Sequence, residues 1–439
     1  MDNEEDTRVV LRKGSMQVSD SKCEREDGNS NRPLVLDNTF ETAFGVTVRM
    51  FRWMNARELL KAKLVCKSWQ KTIELVLSRR CKVSTFFQET SLTESDRSCS
   101  DAYPGNRLKE LSVVPSLVFM LHCTKVRDYP LSWYTSVKRP ISDSVPPNCR
   151  LIGGIADDGL YGWNEEVDVQ QPMFTPGHTN DAVAGFIFSD GLLSRCDVHV
   201  QSIAVTNAVE RAMFAMSDAE RNIDSFCKLF NWPREEEIKC VILLASEPSW
   251  RQHERQMCDW LLNLQMDGPQ VALCGGVLSF VRAEQVIKKD DIIRITRRRF
   301  WTEDRYPMAH MVGLVFGGRG VRASSFVISS STQKEEDIKS ELNRWKRSVI
   351  DTWPCTSNCI AFLFSCCGRQ SEVNEARLFT SVFPNIPICG LKTYGEYGSN
   401  VPSELLKVAC ENRSRKRVHS GSEEVLLSFS NVYAIVSFD

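Results

Sequence analysis

The stretch Leu34–Leu77, LVLDNTFETAFGVTVRMFRWMNARELLKAKLVCKSWQKTIELVL, sets the reading of the whole chain. Asn38 can cap a helix start, and Glu41 three residues on is its reciprocal partner. Phe40, Phe44, Val48 and Phe51 then recur at helical spacing and predict one apolar face. Asn55 and Glu58 repeat the capping pair, so a second helix starts there, with Leu59, Leu60 and Leu64 as its face. A break near Cys66 precedes a third helix lined by Trp69, Ile73, Val76 and Leu77. Gly45 inside the first helix costs about 1 kcal/mol against alanine. Three short helices enclose a very small core, which calls for a partner or a neighbouring domain.

Outward from this stretch, composition sets bounds. At 439 residues the chain is long enough for two or three domains. Hydrophobic residues make up 42% and charged residues 25%, as in ordinary globular proteins. The formal net charge of −1 provides no global field for nucleic acid or membrane, and neither partner is expected. No apolar run approaches the ~20 residues needed to cross a bilayer. The first thirty residues are polar, with no apolar core like that of a signal peptide. A cytosolic or nuclear protein is the expectation. The seventeen cysteines are scattered, mostly in apolar runs, and read as reduced thiols. Cys355, Cys359, Cys366 and Cys367 lack zinc-ribbon spacing, and their alternation with Ile360, Phe362 and Phe364 fits a buried strand.

Residues 1–32 read as disordered and 81–106 as a linker. Beyond it, short apolar runs of strand length recur at 112–123, 150–155, 182–189, 239–245, 270–274, 311–316, 325–329, 359–364 and 432–438. Helical patterns lie at 207–230 (interrupted near Ser217), 249–266, 332–353 (capped by Thr332 and Glu335) and 372–383. This mixture predicts a mixed α/β or α+β fold, with large sheets covered by helices. Glycines after strands, at Gly153-Gly154, Gly275-Gly276, Gly317-Gly318 and Gly390, suggest two related halves. FGGRG at 316–320 lacks the Lys-Ser/Thr of a phosphate loop and reads as a hairpin turn. Six dispersed histidines, with no HExxH and no Gly-x-Ser-x-Gly elbow, give no catalytic constellation, so no enzyme and no cofactor is expected. Arg297–Arg299 reads as a solvated edge, and the RSRKR run at 413–417 resembles a minimal nuclear-import signal.

Leu34 and Leu36, the Leu59-Leu60 pair, the run Leu64-Val65-Cys66-Lys67-Ser68-Trp69 and Ile73 together resemble an F-box. The usual Leu-Pro opening is altered, since Pro33 precedes Leu34. The resemblance implies a non-catalytic receptor docking on a Skp-family adaptor, and through it on a cullin-RING ligase. It places the adaptor contact, or the core beneath it, at Leu34, Leu36, Leu59, Leu60, Val65 and Trp69.

The stretch 361–400, AFLFSCCGRQSEVNEARLFTSVFPNIPICGLKTYGEYGSN, resembles the C-terminal part of the FIST (F-box and intracellular signal transduction) family. The matching residues are Phe364, Cys366, Gly368, Arg369, Asn374, Glu375, Phe379, Phe383-Pro384, Pro387, Gly390, Gly395-Glu396 and Gly398. The loop Gln370–Val373 is shorter than the family's, and Gly390-Leu391-Lys392 replaces its aromatic segment. Weaker likeness runs upstream through 311–329, 239–276 and 150–188. The resemblance implies an F-box at 33–80, a FIST N-like domain at 107–280 and a FIST C-like domain at 281–439. It implies capture of protein substrates for ubiquitination, or sensing of a small ligand. Cys366, Arg369, Glu375 and Glu396 would line the ligand or substrate pocket.

Overall fold

The computed structural model describes residues 35–90, 111–125, 141, 144–164, 171–176, 181–217, 220, 222–246, 271–285, 309–369, 374–401, 426–427 and 429–439. Contacts divide the chain into two units, Met1–Val46 and Thr47–Asp439. Helix α1 (Val35–Trp53) runs through that boundary, and its N-terminal part is all that is described of the first unit. The expected disorder of 1–32, the helix at 249–266 and the basic runs at 297–299 and 413–417 lie outside the described residues.

The expected helices α1, α2 (Ala56–Ala62) and α3 (Lys67–Ser78) are present. Asn55 and Glu58 form the reciprocal cap of α2. The Glu58 N–H donates to Asn55 Oδ1 at 2.8 Å, and the Asn55 N–H donates to Glu58 Oε2 at 3.1 Å. Cys66 Sγ caps α3 by accepting from the Trp69 N–H at 3.5 Å. α1 starts at Val35, so Asn38 and Glu41 lie inside the helix instead of capping it. Val48, Phe51, Leu59, Ala62, Ile73 and Val76 form the small core. The expected apolar faces are narrower than the sequence suggests. α2 ends at Ala62, leaving Leu64 beyond the helix, and Leu60 lies about 100° around it from buried Leu59.

The rest of the chain repeats one pattern three times. The first stretch runs β1 (Val83–Thr90), β2 (Pro115–Cys123), β3 (Arg150–Ala156), the arm β4 (Gly159–Asn164) and β5 (Gln171–Pro176), and β6 (Asp181–Ser189). The second runs β7 (His199–Val205), β8 (Ile238–Ser246), β9 (Ala272–Leu278), the arm β10 (Phe280–Gln285) and β11 (Met311–Gly317). The third runs β12 (Val321–Ile328), β13 (Cys359–Cys366), β14 (Ile388–Thr393), the arm β15 (Glu396–Gly398) and β16 (Leu426–Leu427), and β17 (Asn431–Phe438).

Within each stretch the pairing is identical. The second and third strands are parallel, the last lies antiparallel to the second, and the first antiparallel to the last. Each arm leaves its own sheet for another: β4 pairs with β14, β10 with β3, and β15 with β9. The exchange is cyclic. Three mixed sheets result, β1-β6-β2-β3-β10, β16-β15-β9-β8-β11-β7 and β12-β17-β13-β14-β4-β5. Gly153, Gly275 and Gly390 occupy the same place in each repeat, opposite Met120, Leu243 and Leu363. A Cβ there would sit 1.6, 1.8 and 1.7 Å from the opposing carbonyl oxygen, so only glycine allows the approach.

These pairings revise several expectations. The repeats number three, not two. Val83–Thr90, within the expected linker, is strand β1 paired with β6. A division near residue 280 falls among strands shared between sheets, since β10 pairs with β3 and β4 with β14. FGGRG is a turn, with Gly318 at φ +94°, but β11 and β12 are not paired. The turn hands the chain from the second sheet to the third.

Described helices are α4 (Asp190–Leu193), α5 (Asn207–Phe214), α6 (Ile223–Phe230), α7 (Glu335–Ser348) and α8 (Glu375–Val382). The expected interruption near Ser217 separates α5 from α6. α7 starts three residues after Thr332, without a side-chain cap, and three acidic residues in its first turn suit the helix dipole instead. The sheets' inner faces share one core, in which Phe362 meets Phe119, Phe186 and Phe316 at ring separations of 5.4, 5.2 and 6.0 Å. α6 helps cover the outer face of the second sheet, and α7 and α8 that of the third. Near-continuous apolar strands such as CIAFLFSC follow from burial on both faces. No described helix is long and apolar enough to cross a membrane.

Candidate functional site

Two places gather the residues singled out in the sequence. The first is the helical segment. Leu59 is fully buried and belongs to its core. Leu60 is 40% exposed, Val65 is exposed, and Trp69 is 36% exposed with its ring set edge-on to Phe51 at 5.2 Å. Leu34 lies outside the described residues, and Leu36 is placed only as a residue of α1. The structure adds five exposed apolar side chains that the sequence reading gave no surface role: Phe44 (expected on the apolar face of α1), Val46, Met50, Trp53 (91% exposed) and Leu64 (86%). Met50 and Trp53 fall off the Val48/Phe51 stripe, and that offset was the signal available in the sequence.

The second place lies at the C-terminal end of β13. Cys366 and Glu396 face each other there, held by the turns on either side. The Cys366 N–H donates to the Ser430 carbonyl at 3.0 Å, and the Cys367 N–H to the Thr393 carbonyl at 2.8 Å. The Thr393 hydroxyl donates to Glu396 Oε1 at 3.0 Å, and the Ser430 N–H to Glu396 Oε2 at 3.3 Å. Hydrogen bonding from the Cys367 thiol, helped by the Gly368 and Phe429 backbone, holds the Cys366 thiol well below its usual range despite burial. Burial, then the nearby Cys366 charge, pushes the Glu396 carboxyl up. The two groups oppose each other's ionisation, so the site suits a hydrogen-bond donor better than a second anion.

The threefold repetition marks this pair out. At the strand position of Cys366 the other repeats carry Cys123 and Ser246. At the arm position of Glu396 they carry Leu160 and Val281. The acid therefore stands where the repeat architecture itself requires only an aliphatic side chain.

Arg369 and Glu375 form a separate pair, joined to the first through the Phe429–Ser430 segment. Arg369 donates to the carbonyls of Ser329 at 3.0 Å, Phe429 at 3.1 Å and Thr332. Its Nε lies 3.8 Å from Glu375 Oε1, with both side chains almost wholly buried. Tyr161 donates to Glu375 Oε2 at 3.2 Å. Both terminal guanidinium nitrogens are thus occupied by backbone carbonyls, and the four pocket residues expected from the sequence divide into two pairs. Around Arg369 and Glu375 several buried atoms have no hydrogen-bond partner: Arg369 Nε, Glu375 Oε1, the Tyr433 hydroxyl and both amide atoms of Asn431. The sequence reading missed Asn431, Tyr433, Thr393 and Ser430, which lie in ordinary strand or turn sequence. Among the described residues no cluster of His, Cys, Asp or Glu suits a metal ion.

No family model matches the chain. Human F-box only protein 22 (Homo sapiens) is 29% identical over 94 residues, which is 20% of this chain and 22% of the relative. The chain thus matches about a fifth of that relative's length. The likeness supports an F-box-like relation at most and does not by itself show a FIST domain.

Proposed function

We propose that this chain is the substrate-recognition subunit of an SCF-type cullin-RING ubiquitin ligase. The observation that carries this reading is the crowding of exposed large apolar side chains on α1–α3, at Met50, Trp53, Leu60, Leu64, Val65 and Trp69. Such a surface suits burial against a partner, where each large side chain contributes roughly 1.5–3 kcal/mol when fully covered. The weak similarity to an F-box protein agrees with that partner being a Skp-family adaptor. The sheet body, read as FIST-like, captures the protein to be modified. Its role is proximity, raising the effective concentration of an acceptor lysine near the charged conjugating enzyme, and it performs no chemistry of its own.

Co-purification of the full chain with a Skp adaptor, beside Leu60→Asp, tests this reading. Capture by the wild type and its loss in Leu60→Asp support it; absence of capture by the wild type overturns it. Because Leu60 is exposed, the substitution leaves the helical core intact.

A second reading, sensing of a small polar ligand, is favoured by the buried Tyr433 hydroxyl and Asn431 amide, which have no hydrogen-bond partner near the Arg369–Glu375 ion pair. A ligand with donors and acceptors would satisfy them. A thermal-shift screen against amino acids and other small polar molecules tests it, since a native-state binder raises Tm. A rise that persists in Asn431→Leu would argue against this location.

A further inference from the structure

Resting on the adaptor-binding reading above, we infer that Arg80 is a positioning residue: a clasp that fixes the adaptor-binding helices on the sheet body, and so sets where a captured substrate sits relative to the ligase.

Arg80 lies in the short connection Arg79–Lys82 between α3 and β1. Its Nη2 donates to the carbonyls of Phe51 at 3.0 Å, Arg52 at 3.1 Å and Met54 at 2.8 Å. Its Nη1 donates to the carbonyl of Ser112, in the segment leading into β2. One guanidinium therefore collects the carbonyls at and just beyond the end of α1 and bonds to the body with its other arm. Beside it, the Ala56 N–H, in the first turn of α2, donates to the Leu111 carbonyl at 2.8 Å. On the far side of the junction the Cys81 thiol lies between the Ser78 carbonyl at 2.8 Å and the Gly191 carbonyl at 3.3 Å, sharing its one proton between α3 and α4. A Cβ on Gly191 would lie 3.0 Å from the Leu77 carbonyl oxygen, so the end of α3 rests directly on α4.

The end of α1, the start of α2 and the end of α3 are thus each tied to the body by a backbone-directed hydrogen bond or contact. Arg80 makes the first of these joints, bonding the end of α1 with one arm and Ser112 of the body with the other. A planar fork with donors on two sides can span it, whereas a lysine ammonium is a single point and cannot. A freely hinged receptor would present its substrate to the conjugating enzyme over a wide volume. The clasp confines it, which raises effective concentration at a few lysines and excludes others.

The test uses the full chain as wild type, Arg80→Lys and Arg80→Met. Thermal melting first shows that the variants are folded. Amide hydrogen exchange then reads the joint. The expected result for Arg80→Lys is exchange about tenfold or more faster at Ala56 and its neighbours, with the amides of β13 and β17 unchanged. In the reconstituted ligase, adaptor capture stays within about twofold of wild type, as expected for a substitution outside the contact surface. The set of lysines receiving ubiquitin, mapped by mass spectrometry, broadens. A merely structural role would neither loosen this joint selectively nor alter the lysine pattern. Unchanged exchange at Ala56, equal acceleration in β13 and β17, or an unchanged lysine pattern overturns the clasp. Failure of the wild type to capture an adaptor overturns the adaptor reading, and the positioning role with it. Normal capture with an unchanged joint sinks the clasp alone.

Discussion

The helical segment and the sheet body treat large apolar side chains in opposite ways. From Met50 to Trp69, six of them stand exposed within twenty residues. In the sheet body, far longer, the exposed large apolar side chains among the described residues are Tyr394 and Phe429. Trp345 on α7 is fully buried, with its indole N–H bonded to Ser324 Oγ at 2.8 Å, whereas Trp53 on α1 projects almost entirely into solvent. The body closes on itself because every sheet has another layer over each face. The helical segment has too little core to do so, and its leftover surface is what a partner would cover. Self-sufficiency in one region and incompleteness in the other are therefore the division between scaffold and docking surface.

The largest expected effect tests the tightness of the body. Gly275→Ala puts a methyl 1.8 Å from the Leu243 carbonyl, inside a parallel pair with no slack. We expect a loss of more than about 4 kcal/mol, enough to prevent folding, and similar losses at Gly153 and Gly390. A mild effect at any one of them, measured by denaturant unfolding, would break the equivalence of the repeats. Next comes Leu59→Asp against Leu60→Asp. The first buries a carboxylate in the small helical core and should cost about 3–4 kcal/mol in that segment. The second should change stability by less than about 0.5 kcal/mol while abolishing adaptor capture. Equal destabilisation by both would erase the distinction between core and surface.

Smaller at each pH step is an effect that reports how dry the body is. His122 is fully buried in β2, and both ring nitrogens lack a partner. Burial pushes its imidazole down to about 3, from an ordinary 6.5. The neutral form is the folded one, so its stabilisation is complete above pH 6.5 and is lost as pH falls toward 3. His122→Met should flatten the acid limb of stability against pH by about 1.4 kcal/mol per pH unit within that window. An unaltered slope would mean that the ring is hydrated. Smallest is Gly45→Ala in α1, where a Cβ meets nothing within 4 Å. It should stabilise the helix by about 1 kcal/mol. Together with Gly275→Ala, it would show the same substitution changing sign between the two regions.

All nine apolar runs marked in the sequence correspond to strands, because strands buried on both faces announce themselves by continuous hydrophobicity. β1 escaped, since Ser84, Thr85 and Gln88 dilute VSTFFQET and its polar flanks read as linker. The arms escaped for another reason. β15 is three residues long, and β10 follows β9 after a single residue. Neither reveals that its partner belongs to a different repeat. Alternation and length specify a strand; they do not specify which distant edge it will join. The capping box at Asn55 and Glu58 was legible because its geometry is local. The Cys366–Glu396 pair was legible as residue types, but its isolation from Arg369–Glu375 depends on Phe429 and Ser430, whose sequence carries no such signal.

The cyclic exchange of arms also fixes a timetable. Made from the N-terminus, the first sheet has all its strands once residue 285 has emerged. The second waits for β15 and β16, up to residue 427, and the third for β17. The β4–β5 hairpin, complete by residue 176, has no edge to join until β14 is synthesised more than two hundred residues later. For most of its birth this chain carries an unpaired strand edge, the surface most prone to wrong partners, and it needs protection until its last strand arrives.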